Sequence, residues 1–158
     1  MKRIIICLLF AVILFIPPAS YAASIAAGWG VTSFQDDLSF VDTGPSLSLE
    51  AIFGPGNIGL LLSGLWSSHD NNIDYQSFMV GPVWSVGSAR IYAGISRHDV
   101  DNAGTVNDGW GVTAGGSAGW ELASVSSLLF DVKISNWEGD NNTNVRTGTL
   151  QLMFQLGF

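Results

Sequence analysis

His69 and His98 are the only histidines in the chain, and each has hydroxyls close by: Ser67 and Ser68 beside the first, Ser96 beside the second. A serine and a histidine are the raw material of nucleophilic acyl chemistry. That chemistry needs the base within hydrogen-bond reach of the hydroxyl and a third group to orient it. The spacing supplies no third group, so these residues are read as polar strand ends in contact with water, and no catalytic residue is assigned. The segment Asp99-Val100-Asp101-Asn102-Ala103-Gly104 begins like a calcium loop. Ala103 stands where an oxygen ligand is wanted, however, and Trp110 where a bidentate Glu should close the site. It is read as a polar, turn-forming loop, and no metal is expected. Gly28-Trp29-Gly30 and Gly109-Trp110-Gly111 do not precede helices, which removes a phosphate-cradling reading. No cofactor is expected either.

The elements that must position these residues begin after an N-terminal leader. Lys2 and Arg3 precede the apolar run 4–16, followed by Pro17, Pro18 and a small-residue site with Ser20 and Ala22. This is the pattern of a secretory signal peptide, with cleavage expected before Ala23. The division is then residues 1–22 as signal and residues 23–158 as one domain. The apolar run is too short for a membrane-spanning helix, which needs roughly 17 to 25 residues. Cys7, the only cysteine, falls inside it, so the exported chain has no disulfide to hold it together. Removal of the leader leaves Arg90, Arg97, Lys133 and Arg146 as the only basic residues, against 13 acidic ones. Four scattered cations cannot make a phosphate-binding surface, so nucleic acid is excluded as a partner.

Hydrophobic residues make up 47% of the chain and charged ones 12%, yet no apolar run after the leader is long enough for a transmembrane helix. The hydrophobicity is instead distributed at every second position, the period of a strand with one face in lipid and one in a lumen. Ile25, Ala27, Trp29 and Val31 alternate with Ala26, Gly28, Gly30 and Thr32. Leu47, Leu49, Ala51 and Phe53 alternate with Ser46, Ser48, Glu50 and Ile52. Ile58, Leu60, Leu62 and Trp66 follow, although Leu61 and Leu65 break the polarity of the inner face. Phe78, Val80, Pro82, Trp84 and Val86 face outward in a fourth segment. In a fifth, Ala89, Ile91, Ala93 and Ile95 oppose Arg90, Tyr92, Gly94, Ser96 and His98. The sixth sets Trp110, Val112, Ala114, Ala118, Trp120 and Leu122 against Gly111, Thr113, Gly115, Ser117, Gly119 and Glu121. Leu128, Phe130, Val132 and Ile134 oppose Asp131, Lys133 and Ser135 in the seventh. The last runs outward through Leu150, Leu152, Phe154, Leu156 and Phe158.

Eight segments joined alternately by short connections (54–57, 87–88, 123–126) and longer Asp/Asn/Gly-rich ones (33–44, 68–74, 99–108, 138–144) describe an all-β fold. It is an eight-stranded antiparallel up-and-down transmembrane β-barrel. A soluble sandwich would also alternate. It would wet Glu50, Arg90, Glu121, Asp131 and Lys133, whereas a barrel must pair them inside as a lumen charge network. The final alternation ending at Phe154, Leu156 and Phe158 favours the barrel, because it resembles the terminal signal by which outer-membrane barrels are recognised for insertion. Eight strands enclose an interior that side chains just fill, so a narrow pore is a lesser reading.

The words YQSFMVGPVWSV, with Gly81-Pro82 inside a strand, and ARIYAGIS, with Tyr92 and Gly94, resemble the central hairpin of the Ail/Lom/OmpX family of small outer-membrane barrels. GWGVTAGGSAGWEL, LLFDVKIS and LQLMFQLGF resemble its last three strands. The family usually carries an aromatic and then a basic residue after its Gly-Pro-x, where this chain has Trp84 and Ser85. Its adhesive members have longer and less acidic loops. The resemblance implies a monomeric, non-enzymatic outer-membrane protein of Gram-negative bacteria, in contact with lipid and lipopolysaccharide and inserted by the barrel assembly machinery. Its loops would meet a host or surface ligand, with Asp36, Asp37, Asp99, Asp101 and Asp108 as candidate contacts. A lipid A-modifying enzyme is the alternative, since some eight-stranded barrels are deacylases or acyltransferases.

Overall fold

The computed structural model describes residues 22–36, 41–70, 73–102, 105–139 and 144–158; the expected leader, apart from Ala22, and Asp37 lie outside them. Eight strands follow one another in chain order: β1 (Ala22–Asp36), β2 (Val41–Gly54), β3 (Ile58–His69), β4 (Ile73–Val86), β5 (Ala89–Asn102), β6 (Thr105–Ala123), β7 (Ser126–Glu138) and β8 (Asn144–Gly157). Each pairs antiparallel with its neighbours. β1 meets β8 from Ser24 against Gly157 to Asp36 against Val145, which closes the barrel. The sandwich reading is thereby removed. Closure is the physical answer to hydrocarbon, where an unpaired strand edge would leave backbone groups without partners.

Alternation sets the two faces. Trp29, Leu47, Ile91, Ile95, Val112, Ile134 and Leu152 are among the large apolar side chains exposed on the outer wall, while Thr32, Ser48, Arg90, Ser96, Asp131 and Lys133 are buried inside. A soluble protein rarely leaves so continuous an apolar surface uncovered. Aromatics mark the ends of this belt: Trp29, Trp66 and Trp110 towards the outer hairpins, Trp84 and Trp120 towards the short turns. Trp66 meets Phe78 edge-on at 5.8 Å, and Trp120 meets Phe130 in the same way at 6.1 Å. Two of the short turns carry glycines in the left-handed region, Gly56 (φ 64°) and Gly87 (φ 57°).

The strands are longer than their sequence pattern suggests. Residues 33–36, 41–44, 99–102 and 105–108 were expected in loops, yet they are paired strand, with Gln35 opposite Val41 and Asn102 opposite Thr105. The 138–144 connection shortens likewise, since Glu138 pairs with Asn144. Crossing a bilayer takes about 9 to 11 residues of tilted strand. Strands of 12 to 19 residues therefore continue past the outer aromatic girdle as paired hairpins. Beyond the girdle no lipid imposes alternation, which is why the polar, glycine-rich composition there imitates a loop.

The lumen is filled. The half towards the long hairpins holds Phe34, Leu65, Ile73, Tyr75, Trp137 and Val145, and the half towards the short turns holds Leu61, Met79, Val83 and Tyr92 with Ile52 against them. A third group joins Ala26, Leu129 and Met153. Leu61 and Leu65, the residues that spoil the alternation of β3, are thus packing residues of the interior. Inward-facing glycines make this filling possible where backbones approach closely. A Cβ on Gly119 would lie 1.8 Å from the Leu128 carbonyl oxygen, whereas one on the outward-facing Gly148 would make only an ordinary 3.4 Å contact with Ser33 Oγ. Gly119→Ala is expected to cost about 1 to 3 kcal/mol through overpacking. Gly148→Ala should stay within about 0.5 kcal/mol of the parent, as surface changes do. Urea titration of both variants refolded into lipid vesicles measures the difference, and equal stabilities would show that the β6–β7 backbone yields at Gly119.

Candidate functional site

Charge inside the barrel is concentrated on three strands. Glu50 comes from β2, Arg90 from β5, and Asp131 with Lys133 from β7, where a spacing of two puts both on the inner face. Arg90 Nη2 donates to Glu50 Oε2 at 2.6 Å and Lys133 Nζ to Glu50 Oε1 at 2.5 Å; Lys133 also stands 3.4 Å from Asp131 Oδ2. Neutral groups complete the set. Arg90 Nε donates to Ser117 Oγ (2.6 Å), Tyr92 Oη to Asp131 Oδ1 (2.7 Å), and Lys133 Nζ to Ser63 Oγ (3.2 Å). Two carboxylates and two cations balance, the arrangement a buried cluster needs if desolvation is to be offset. Glu121 does not belong to it. Glu121 keeps the register of β6, opposite Ser127, but it stands at the strand end beside the short β6–β7 turn, where its side chain is exposed. The register shift comes after it, so its distance from the cluster follows from its level at the end of the barrel.

The histidines also depart from expectation. Both are buried, and each is bonded to the serine two residues before it: His69 Nε2 to Ser67 Oγ, and His98 Nε2 to Ser96 Oγ at 2.7 Å. His98 Nδ1 meets Tyr75 Oη at 2.7 Å, and its ring lies parallel to Trp137 at 5.1 Å. From Ser96 the chain of hydroxyls continues through Thr113 to Ser135. His69 sits above the outer girdle, with Phe34 tilted over its ring at 4.4 Å and Asp42 Oδ2 3.9 Å from its Nδ1. Burial holds the His69 pKa below its ordinary value, with Asp42, Asp70 and Asp74 opposing that shift. Serine, base and acid thus gather here, but the acid is beyond hydrogen-bond distance and the Ser67 hydroxyl lies inside the packed lumen. The arrangement satisfies the Ser67 hydroxyl and one ring nitrogen, while His69 Nδ1 and Asp42 Oδ2 are left buried without a hydrogen bond. Period-two spacing, which puts i and i+2 on one face, is the signal that could have shown Ser67 with His69 and Ser96 with His98.

The remaining candidates are spread over the outer surface. Asp99 and Asp101 are on β5, beyond the girdle. Asp36 ends β1. Asp108 on β6 is ion-paired with Arg97, whose guanidinium lies 5.5 Å over the Trp110 ring at the girdle. Phe154, Leu156 and Phe158 are exposed on the outer face of the C-terminal strand. Phe158 N donates to Ala23 O at 2.8 Å and Gly157 N to Val125 O at 2.7 Å, which ties the C-terminal strand into the rim that carries the short turns. No group of three His, Cys, Asp or Glu side chains is placed to hold a metal ion among the described residues.

Removing one partner from a buried ion pair leaves the other charge stranded, a loss of about 3 to 5 kcal/mol, against roughly 0 to 1 for an exposed pair. Arg90→Ala should therefore destabilise the barrel in vesicles by several kcal/mol, while Arg146→Ala, an outward and exposed position, should cost less than about 1. Small and equal losses in urea titrations would mean that water reaches the Glu50 carboxylate.

No protein-family model matches the sequence, and no curated protein matches it. Solved structures do. The crystal structure of Neisserial surface protein A superposes with a TM-score of 0.63 over 89% of this chain and 98% of that one, at 15% identity. Ail, the attachment invasion locus protein of Yersinia pestis, crystallised with the heparin analogue sucrose octasulfate, gives 0.53 over 87% and 100% at 14% identity. The solid-state NMR structure of the outer membrane protein AlkL in lipid bilayers gives 0.52 over 90% and 95% at 13% identity. At these identities the likeness is one of fold. With its closed topology and apolar outer wall, the chain has the transmembrane β-barrel fold of the small eight-stranded outer-membrane proteins.

Proposed function

We propose that the protein is a surface-display barrel of the outer membrane: a closed, rigid stave that carries acidic β-hairpins above the lipid for interaction with a partner of opposite charge. The carrying observation is the combination of a filled lumen with strands that outrun the membrane. Charge clusters and apolar side chains occupy both halves of the interior, which supports neither a pore nor substrate access to the serine-histidine pairs. The β5–β6 hairpin, meanwhile, stays paired out to Asn102 and Thr105 and brings Asp99, Asp101 and Asp108 onto one rigid element. In this reading the leader is cleaved before Ala23, lipid and lipopolysaccharide surround the belt, and the partner of the hairpins carries a basic surface. Attraction of that kind is long-ranged at low salt and screened within about 8 Å at physiological ionic strength.

Cells displaying the protein should retain a lysine-rich polypeptide, with retention falling as salt rises above ~0.15 M. Asp99→Asn with Asp101→Asn should reduce it several-fold while the barrel still assembles. Retention that ignores both salt and the double substitution would remove the hairpin as the contact.

The C-terminal strand supplies a second test of this placement. Deleting Phe158 removes a rim hydrogen bond and the last outward aromatic, and it is expected to impair assembly in cells while the purified chain still refolds into detergent. Normal surface assembly without Phe158 would count against its role as an insertion signal.

A further inference from the structure

Where the outer ends of β2 and β3 meet, two buried polar atoms are left over. Asp42 and Gly44 lie on the inner face of β2, and His69, the last residue of β3, packs its ring against Gly44. His69 Nδ1 and Asp42 Oδ2 are both buried, and neither has a hydrogen-bond partner. They stand 3.9 Å apart, with the imidazole fully enclosed and the carboxylate side chain 14% exposed. That separation is too long for a direct hydrogen bond. Buried polar atoms are ordinarily satisfied, so the pair calls for a third body between its members.

The surroundings hold both atoms in place. Asp42 Oδ1 accepts from the Thr43 backbone N–H at 2.8 Å, which fixes the carboxylate and leaves Oδ2 to the histidine side. Phe34 lies 4.4 Å from the His69 ring, and Nε2 of that ring is engaged with Ser67 Oγ. When Nε2 carries the proton and donates it to the hydroxyl, Nδ1 presents a lone pair, the tautomer that a metal-bound imidazole takes. Gly44 keeps side-chain atoms out of this corner: a Cβ there would lie 2.8 Å from Nδ1 and 2.3 Å from the Ser68 carbonyl oxygen. Asp70 and Asp74 add negative potential around the ring. His98 differs, since both of its ring nitrogens are bonded, one to Ser96 and one to Tyr75.

We propose that His69 Nδ1 and Asp42 Oδ2 are the protein ligands of a divalent transition-metal site, of the Zn²⁺ class, at the outer rim of the barrel. Zinc bonds to imidazole nitrogen and to carboxylate oxygen are each about 2.0 to 2.2 Å long, so one ion spans a gap of about 4 Å. The remaining coordination positions go to water, and the exposed edge of Asp42 is the way in. An imidazole beside a carboxylate selects zinc, nickel or copper over magnesium and calcium, which take oxygen ligands. Bound metal fastens β2 to β3 at the end farthest from the turn that joins them. The inference rests on the barrel fold and is independent of what the acidic hairpins bind.

The test uses the untagged full barrel in detergent micelles, stripped with a chelator and titrated with Zn²⁺ near neutral pH, with excess Mg²⁺ present to occupy exposed carboxylates. Calorimetry is expected to show a single saturable site. In nitrogen-15-labelled protein, Zn²⁺ should shift the ring nitrogens of His69 and leave those of His98 in place. Losing a group that merely orients a metal ligand weakens binding roughly 10- to 100-fold, so His69→Gln and Asp42→Asn, which remove ligands, should each cost at least about tenfold. Asp99→Asn with Asp101→Asn should leave the affinity unchanged. Absence of Zn²⁺ binding, a His69 ring that does not respond, equal affinity in the parent and Asp42→Asn, or displacement of Zn²⁺ by the excess Mg²⁺ would each overturn the proposal. If His69→Gln fails to assemble, Asp42→Asn at the rim and the ring-nitrogen shift in the parent decide.

Discussion

In hydrocarbon a backbone N–H or C=O without a partner costs several kcal/mol, and the rest of this molecule follows from that cost. It forbids an open edge, so β1 must find β8. Once the sheet is closed with eight strands, the interior is only as wide as its side chains. Every inward residue then has to be small, apolar or paired. The glycines facing Leu128 and Ala93, the apolar clusters in each half and the neutral set of Glu50, Arg90, Asp131 and Lys133 are three answers to the same confinement.

Alternation is legible in sequence because lipid enforces it. Arg90 and Ile91, or Asp131 and Val132, reveal their faces by chemistry alone. The strand order also follows from the connections, since short turns such as 87–88 leave no alternative neighbour. The charge cluster is partly legible for the same reason, as a spacing of two places Asp131 and Lys133 together. What the pattern hides are the places where the lipid rule lapses. Leu61 and Leu65 face inward because the lumen also needs packing atoms. Residues 99–102 and 105–108 escape the rule by standing beyond the girdle, where lipid no longer requires an apolar outer face. Glu121 holds the inward register but stands at the end of its strand, a level that alternation does not report.

The histidines show how burial changes the meaning of a residue type. His98 between Tyr75 and Trp137, bonded to both Tyr75 and Ser96, serves as a polar strut within an aromatic layer.

The charge cluster also acts on the order of events in folding. Its members come from β2, β5 and β7, which are separated in sequence and meet only when the sheet has curled far enough to bring opposite walls together. A half-formed sheet leaves Arg90 and Lys133 without their carboxylate. A one-residue slip of either strand turns its cation out towards the acyl chains, where a midplane Arg or Lys costs about 2 to 4 kcal/mol. The interior thus rewards a single register and penalises each neighbouring one, so the cluster selects the correctly closed barrel from its near misses.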